Sequence, residues 1–174
     1  MKVVSFDIKG SSVNRSELTF EERKMVNNGK VADVISGLKN RVLKDTDFKE
    51  LGIRLLLSKK DYDFLFTYIK EDITFLCKKN IHDYSILINI HQYNEEEYSK
   101  FSNNYRVFKS TDQSYIYSFS IIDFITEYDI MRKGEKTVKM IFNFHDTNFS
   151  CQNPQDYYER LLEHIKNNLF DVKE

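Results

Sequence analysis

The spacing of apolar residues switches from a helical to a strand period near the middle of the chain, and this switch constrains the fold most. Before it, one helix face carries a continuous apolar stripe: Tyr62, Leu65, Phe66, Ile69, Ile73, Leu76 and Cys77. After it, every second residue is apolar, at Tyr84, Ile86, Ile88 and Ile90, and Leu87 adds an apolar residue to the alternate face. These patterns predict an amphipathic helix followed by a strand buried on both faces, so helices and strands must share one core.

Polar residues mark the start of this helix and of a second helix near the end of the chain. Ser58, with Asp61 three residues later, predicts an N-terminal cap for the first helix. Asn153 before Pro154 predicts the start of the closing helix, because a capping amide and a proline at the first helical position both favour a helix start. The closing helix has its own apolar stripe at Tyr158, Leu161, Leu162, Ile165 and Leu169.

Further strands and irregular connections surround these elements. Runs of β-branched and aromatic residues predict strands at Lys2–Ile8, Ile53–Leu57, Tyr105–Lys109 and Tyr115–Ile122. Residues 16–41 suggest a polar loop with short helical pieces, and residues 92–104 suggest an exposed acidic loop. A short helix is expected from Phe124. Strands and helices mix without a repeating βαβ order, which predicts an α+β fold in a single domain of residues 1–174.

Composition excludes several classes of function. The 174 residues are 41% hydrophobic with a formal net charge of −1, which argues for one globular domain and against nucleic acid as a partner. The two cysteines, Cys77 and Cys151, are too far apart to indicate a disulfide framework or a zinc site. No apolar run approaches the ~20 residues of a membrane span, and the N-terminus is unlike a signal peptide. We therefore expect a cytoplasmic protein, and peripheral binding at the cytosolic face of a membrane is compatible with this composition.

Two acids and a lysine stand at the ends of predicted strands. Lys9 follows the first strand, Asp83 precedes the buried strand, and Asp123 ends the strand Tyr115–Ile122. Phosphoryl transfer needs an acid near the attacking hydroxyl, a second acid for magnesium, and cations that absorb developing charge. The structural alternatives are a turn residue for Asp83, a solvated turn lysine for Lys9 and a helix cap for Asp123. A glycoside hydrolase would also need two carboxylates, but it would normally bring tryptophan, which this chain lacks.

Five motifs in sequence order resemble those of the phosphatidylinositol phosphate kinases. They are FDIKGSSVNR (6–15), KDTDF (44–48), IHDYSILINIH (81–91), SIIDFITEYDIMRKGEKTVK (120–139) and NPQDYYERL (153–161). Their order across nearly the whole chain makes the signal specific. The resemblance implies the C-terminal lobe of a kinase catalytic domain that transfers the γ-phosphate of ATP, with Mg²⁺, to an inositol ring hydroxyl of a phosphoinositide.

The resemblance also implies roles for individual residues. Asp83 matches the catalytic aspartate that orients or deprotonates the attacking hydroxyl, and Asp123 matches the metal-binding aspartate. Lys9 would neutralise phosphate charge, and Arg15 is close enough in sequence to help hold an anionic head group. Between Asp123 and Pro154 the family has a specificity loop that meets the membrane, and this loop would carry Arg132, Lys133, Lys136 and Lys139. Those four residues form a basic face beside an apolar one, as in an interfacial helix, although a surface helix packed on the core has the same pattern.

Three departures from the family pattern shape the expectation. His82 replaces a methionine and is interpreted as a tolerated neighbour of Asp83. Ile88 stands where protein kinases place an asparagine that binds a second metal ion, so that ligand must come from elsewhere or be absent. Asn89, which shares a strand face with Asp83, is one candidate. The chain also lacks the motifs of the nucleotide-binding N-terminal lobe, so a fragment, a chain that pairs with a separate lobe and a degenerate relative all remain possible, with a fragment or incomplete chain of an active family favoured. A homodimer and a non-catalytic phosphoinositide-binding module are the alternatives for partner and function.

Overall fold

A five-stranded mixed sheet lies at the centre of the protein. The computed structural model describes residues 3–11, 15–38, 41–101, 106–125 and 153–174. The strands of the sheet are β1 (Val3–Ile8), β2 (Val42–Lys44), β4 (Ser85–Gln92), β5 (Val107–Lys109) and β6 (Tyr115–Ile122), and their order is β2-β1-β4-β6-β5. Only β1 and β2 run parallel, and the other neighbours are antiparallel. The predicted α+β class is confirmed.

The two faces of this sheet differ in chemistry. The core face carries buried apolar side chains from four strands: Val4, Phe6, Ile8, Leu43, Ile86, Ile88, Tyr117 and Phe119. The opposite face carries Ser5, Leu87, Asn89 and Ser118, all of them only half-buried. The prediction that β4 is buried on both faces is therefore wrong beyond Ser85, because within the described residues the core packs against one face only.

The two helices with clear sequence signals form as predicted. Helix α4 (Lys59–Lys78) buries Leu65, Ile69, Ile73 and Leu76, and the Ser58 hydroxyl accepts a hydrogen bond from the Asp61 amide at 3.1 Å. The closing helix, α6 (Pro154–His164), starts at Asn153, whose side chain accepts from the Asp156 amide at 2.9 Å. A π-helical turn, Ile165–Leu169, continues this helix and leads into β7 (Phe170–Lys173), which was not predicted.

The remaining elements refine or correct the sequence predictions. Short helices α1 (Phe20–Asn27) and α2 (Val31–Gly37) confirm the helical pieces expected within residues 16–41. Strand β3 (Leu55–Ser58) starts two residues later than predicted and pairs in parallel with β7. Helix α3 (Asp45–Glu50) was not anticipated.

The predicted loop at 92–104 is wrong where helix α5 (Glu95–Phe101) forms. Lys109 on β5 lies over the rings of Tyr93 and Tyr98, at 5.2 and 5.7 Å from their centroids, and this contact supports a helix that has no apolar face. After β6, residues Phe124 and Ile125 form a turn, and the rest of the helix expected there lies outside the described residues. None of the helices in the described ranges is long and apolar enough to cross a membrane.

Candidate active site

The strand register brings the three predicted site residues to the same end of the sheet. Ile8 at the end of β1 pairs with Ile86 near the start of β4, and Ser85 pairs with Ile122 at the end of β6. Lys9, Asp83 and Asp123 each lie one or two residues beyond these pairs. Residues that are far apart in sequence therefore lie at the same end of three adjacent strands.

Lys9 and Asp83 form a direct ion pair. The Lys9 ammonium donates to the Asp83 carboxylate at 2.8 Å and to the Asp83 carbonyl at 2.6 Å. Both side chains remain partly accessible, with 18% of the Lys9 side chain and 32% of the Asp83 side chain exposed. A carboxylate is thus fixed against a cation at a position that a substrate can still reach.

Both acids occupy an unusual backbone conformation. Asp83 has a φ of 64° and Asp123 a φ of 60°, in the left-handed region that non-glycine residues seldom adopt. Aspartate and asparagine tolerate this region better than other side chains. Strained positions of this kind persist where the surrounding structure fixes them, and they concentrate at functional sites.

The segment Lys9–Ser11, called the Lys9 loop below, is held by a buried carboxylate to which the sequence analysis assigned no role. Asp45, at the start of α3, accepts hydrogen bonds from the backbone amides of Lys9 at 3.0 Å, Gly10 at 2.8 Å and Ser11 at 3.2 Å. Only 2% of Asp45 is exposed. Its motif, KDTDF, was recognised in the sequence, but partners that are backbone amides carry no sequence signal.

Arg15 is engaged by two carboxylates of the protein. Its guanidinium lies 3.0 Å from Asp7 and 3.2 Å from Asp45, and Lys44 also contacts Asp7, at 2.6 Å. Burial alone would raise the pKa of Asp7, but the hydrogen bond from Lys44 and the charge of Arg15 outweigh it, so this pKa lies below its usual value. These contacts favour a structural role for Arg15, and its predicted contact with a head group stays a prediction.

Helix α6 supports the site from the core side. The Tyr157 hydroxyl donates to the carbonyl of Tyr84, next to Asp83, and Arg160 donates to the carbonyl of Lys9 at 3.3 Å. Burial raises the pKa of Tyr157 well above its usual value, so the hydroxyl keeps its proton and remains a donor. The closing motif NPQDYYERL therefore supplies braces for both partners of the ion pair, which the sequence analysis did not foresee.

Two further residues that the sequence singled out have other surroundings. His82 is fully buried and so does not face a substrate. Asn89 accepts from the Ser5 hydroxyl at 2.7 Å and donates to the Ser118 hydroxyl at 3.2 Å, which ties three neighbouring strands together on the polar face. A metal-binding role for Asn89 gains no support from these contacts.

The described residues contain no group of three or more His, Cys, Asp or Glu side chains that could hold a metal ion. Magnesium in kinases is typically bound by one or two carboxylates together with substrate phosphates and water. The exposed Asp123 fits that requirement as a single ligand. The predicted membrane-facing residues, Arg132, Lys133, Lys136 and Lys139, lie outside the described residues.

Comparison with known proteins agrees with the motifs. The sequence model of the phosphatidylinositol-4-phosphate 5-kinase family matches residues 2–108 and 97–168. A phosphatidylinositol 4-phosphate 5-kinase of Plasmodium falciparum is 28% identical over 190 residues, which cover 94% of this chain and 10% of the relative. The human phosphatidylinositol 5-phosphate 4-kinase type-2 alpha is 21% identical over 206 residues, covering 92% of this chain and 47% of the relative.

The chain therefore spans less than half the length of these relatives. Within that span, the family match covers the strand ends that carry Lys9 and Asp83, and also the closing helix that braces them. The chain belongs to the phosphatidylinositol phosphate kinase family.

Proposed function

We propose that this protein takes part in transferring the γ-phosphate of ATP to an inositol ring hydroxyl of a phosphatidylinositol phosphate. The observation that carries the proposal is the Lys9–Asp83 ion pair at the strand ends that also carry Asp123. An acid for the hydroxyl, a cation for the phosphoryl group and an acid for magnesium are the groups that phosphoryl transfer requires.

Asp83 orients the attacking hydroxyl in this proposal. One carboxylate oxygen, Oδ1, is occupied by Lys9, and within the described part of the chain Oδ2 has no hydrogen-bond partner. Oδ2 is therefore available to accept the proton of the ring hydroxyl as the oxygen attacks phosphorus. Because the ion pair fixes the carboxylate in advance, little reorganisation is needed when the substrate binds.

Lys9 stabilises the phosphoryl group as it moves. Its ammonium lies 2.8 Å from the Asp83 carboxylate, so a phosphoryl group facing the bound hydroxyl comes within reach of the positive charge. Charge spreads over the equatorial oxygens of the transferred group, and a fixed cation at that position lowers the barrier.

Asp123 is the residue that we propose to hold Mg²⁺. Bound at Asp123, Mg²⁺ would supply positive charge to offset the negative charge of the ATP phosphates. Asp123 is exposed at the end of β6, on the strand that neighbours β4. Its carboxylate can therefore approach the phosphates from beside Asp83.

The proposed partners are phosphoinositide lipids at the cytosolic face of a membrane, where the protein would bind peripherally. Arg132, Lys133, Lys136 and Lys139 are proposed to contact the anionic lipid surface. The proposed protein partners are a separate nucleotide-binding lobe, which would supply further contacts to ATP, or a second copy of the chain in a homodimer.

The test is transfer of labelled γ-phosphate from Mg-ATP to liposomes that each carry one monophosphorylated phosphoinositide. We expect label in one of these lipids, strongly reduced in Asp83→Asn and in Asp123→Asn. Asp63→Asn, which alters an exposed acid on α4 outside the site, is the matched control and should keep full activity. Liposome binding without any label would instead support a non-catalytic phosphoinositide-binding module.

A further inference from the structure

The KDTDF motif contains two buried aspartates whose roles the proposed reaction does not use. Asp45 is 2% exposed and Asp47 is fully buried, and both lie in the single short helix α3. Burying a carboxylate is costly unless hydrogen bonds and charges compensate. The two carboxylates accept hydrogen bonds from different parts of the chain, and these different partners indicate different roles.

The Asp45 carboxylate occupies a concave site formed by three backbone amides. Three successive amides, from Lys9, Gly10 and Ser11, point at its Oδ1 atom, and Gly10 has a left-handed backbone with a φ of 69°. Successive amides in such a turn form a concave anion site that in other proteins binds phosphate. Here the anion is a side chain of the protein itself, so these amides are not available to a substrate phosphate.

The hydrogen bonds from these amides to Asp45 fix the backbone of Lys9, the residue that contacts Asp83. The Lys9 amide is held by Asp45 and the Lys9 carbonyl by Arg160. Gly10 packs so closely on α6 that a Cβ atom there would lie 3.0 Å from the Leu161 Cα atom. With its backbone held on both sides, Lys9 has a restricted set of directions for its side chain, and the observed one ends on Asp83.

Asp47 has equally many partners, but they lead away from the site. It accepts from the amides of Glu17 at 2.8 Å, Leu18 at 3.2 Å and Lys44 at 2.9 Å. These contacts anchor the segment before α1 and the end of β2. Asp47 is therefore a control of the same residue type, helix and burial that does not contact the Lys9 loop.

Resting on the proposed kinase function, we propose that Asp45 is a positioning residue: it holds the Lys9 loop so that the ammonium of Lys9 stays on Asp83. A second consequence concerns the substrate. Because the amides of Lys9, Gly10 and Ser11 are already bonded to Asp45, these three residues offer a phosphate the charge of the Lys9 side chain and not their backbone amides. Phosphate recognition by Lys9–Ser11 therefore rests on the fixed Lys9 charge and not on a cradle formed by these three backbone amides.

The experiment measures how fast Lys9 reacts with an amine-acylating reagent, by mass spectrometry of the folded protein. Asp45→Asn places an amide NH₂ against either the loop amides or Arg15, so the loop should loosen. We expect acylation of Lys9 to rise several-fold in Asp45→Asn and to stay unchanged in Asp47→Asn. The exposed Lys59 serves as the internal reference in each sample.

Equal acylation of Lys9 in the two variants would overturn the proposal. If Asp45→Asn does not fold, hydrogen exchange of the unmodified chain decides instead. The amides of Lys9, Gly10 and Ser11 must then exchange as slowly as strand amides, and fast exchange would overturn the proposal. Neither measurement needs kinase activity, so a failure of this positioning proposal can be told apart from a failure of the proposed kinase function. Where activity is present, Asp45→Asn should lower kcat more than it changes KM for ATP, because the fixed charge acts on the moving phosphoryl group.

Discussion

The Asp83 side and the Asp123 side of the candidate site are built differently. Asp83 is bound by Lys9, and the backbone around that pair is held by Asp45, Tyr157 and Arg160. Asp123 is exposed and makes no hydrogen bond or ion pair with the described part of the chain. An acid that orients a hydroxyl must be fixed before the substrate arrives, whereas an acid that binds a metal gains its order from the metal and the nucleotide.

The largest expected effect separates these two acids by their response to magnesium. Asp83→Asn should lower phosphate transfer by about 10²- to 10⁴-fold, the range typical of a lost acid–base group, at every Mg²⁺ concentration. Asp123→Asn should also be strongly impaired, but raising Mg²⁺ should restore part of its activity, because the lost contribution is metal affinity. Initial rates across a magnesium titration measure both variants. Equal responses of the two variants to magnesium would contradict the assigned division of roles.

The next effect tests how tightly the Lys9 loop is packed on helix α6. Gly10→Ala must place a Cβ atom on a left-handed backbone, at about 1–2 kcal/mol, and must also displace Leu161 on α6. Gly29→Ala is the matched control, since Gly29 has a φ of 79° but no atom within 4 Å of the added Cβ. Urea unfolding should show a larger loss of unfolding free energy for Gly10→Ala than for Gly29→Ala. Equal losses would mean that α6 does not constrain the loop.

A smaller effect tests the brace beside Asp83. Tyr157→Phe removes the hydroxyl that donates to the Tyr84 carbonyl and leaves that buried carbonyl without its partner, which costs about 1–3 kcal/mol. Tyr158→Phe is the control, because among the described residues the hydrogen-bond contact of the Tyr158 hydroxyl is a long one, 3.4 Å from the Thr74 hydroxyl. Unfolding free energies of both variants give the comparison. A loss in Tyr158→Phe as large as that in Tyr157→Phe would show that the brace contributes nothing specific.

The elements that the sequence predicted well are those with local signals. Helix α4 has an unbroken apolar stripe and a serine cap, and α6 has an asparagine cap and a proline at its first position. Strand β7 gave no such signal, because four residues after a helix become a strand only through pairing with β3, more than a hundred positions earlier. Helix α5 was missed for a related reason, since its support comes from Lys109 on another strand.

In the candidate site too, residues with a local sequence signal were predicted and a residue held by distant contacts was not. Motifs located Lys9, Asp83 and Asp123 at strand ends, but only the register of β1, β4 and β6 shows that these ends are adjacent. Asp45 received no role, because its partners are the backbone amides of a loop more than thirty residues away in sequence. A buried acid that bonds to backbone looks, in sequence, the same as a solvated one.

The smallest expected effect is the pH dependence that Asp7 gives to the stability of the fold. Asp7 lies on the Asp83 side of the site, where it contacts Arg15 and Lys44. The pKa of Asp7 in the folded protein lies below its ordinary value of 3.8, so the ionised carboxylate stabilises the fold above that pH. This contribution is lost as the pH falls through the lowered folded pKa. Because burial opposes the gain from Lys44 and Arg15, the net contribution should be smaller than the preceding effects.

Unfolding free energies of the unmodified chain and of Asp7→Asn should therefore differ most near neutral pH. They should converge only once the pH falls below the lowered folded-state pKa of Asp7, where the carboxylate is protonated in both the folded and the unfolded state. Asp123→Asn provides the contrast from the other side of the site. Because Asp123 is exposed and asparagine tolerates the same left-handed backbone, its substitution should leave the unfolding profile unchanged across this pH range. A pH-independent loss in Asp7→Asn would indicate that shape, and not charge, makes Asp7 necessary. A loss in Asp123→Asn would show that this acid too is braced by the protein, and the distinction between the two sides would fail.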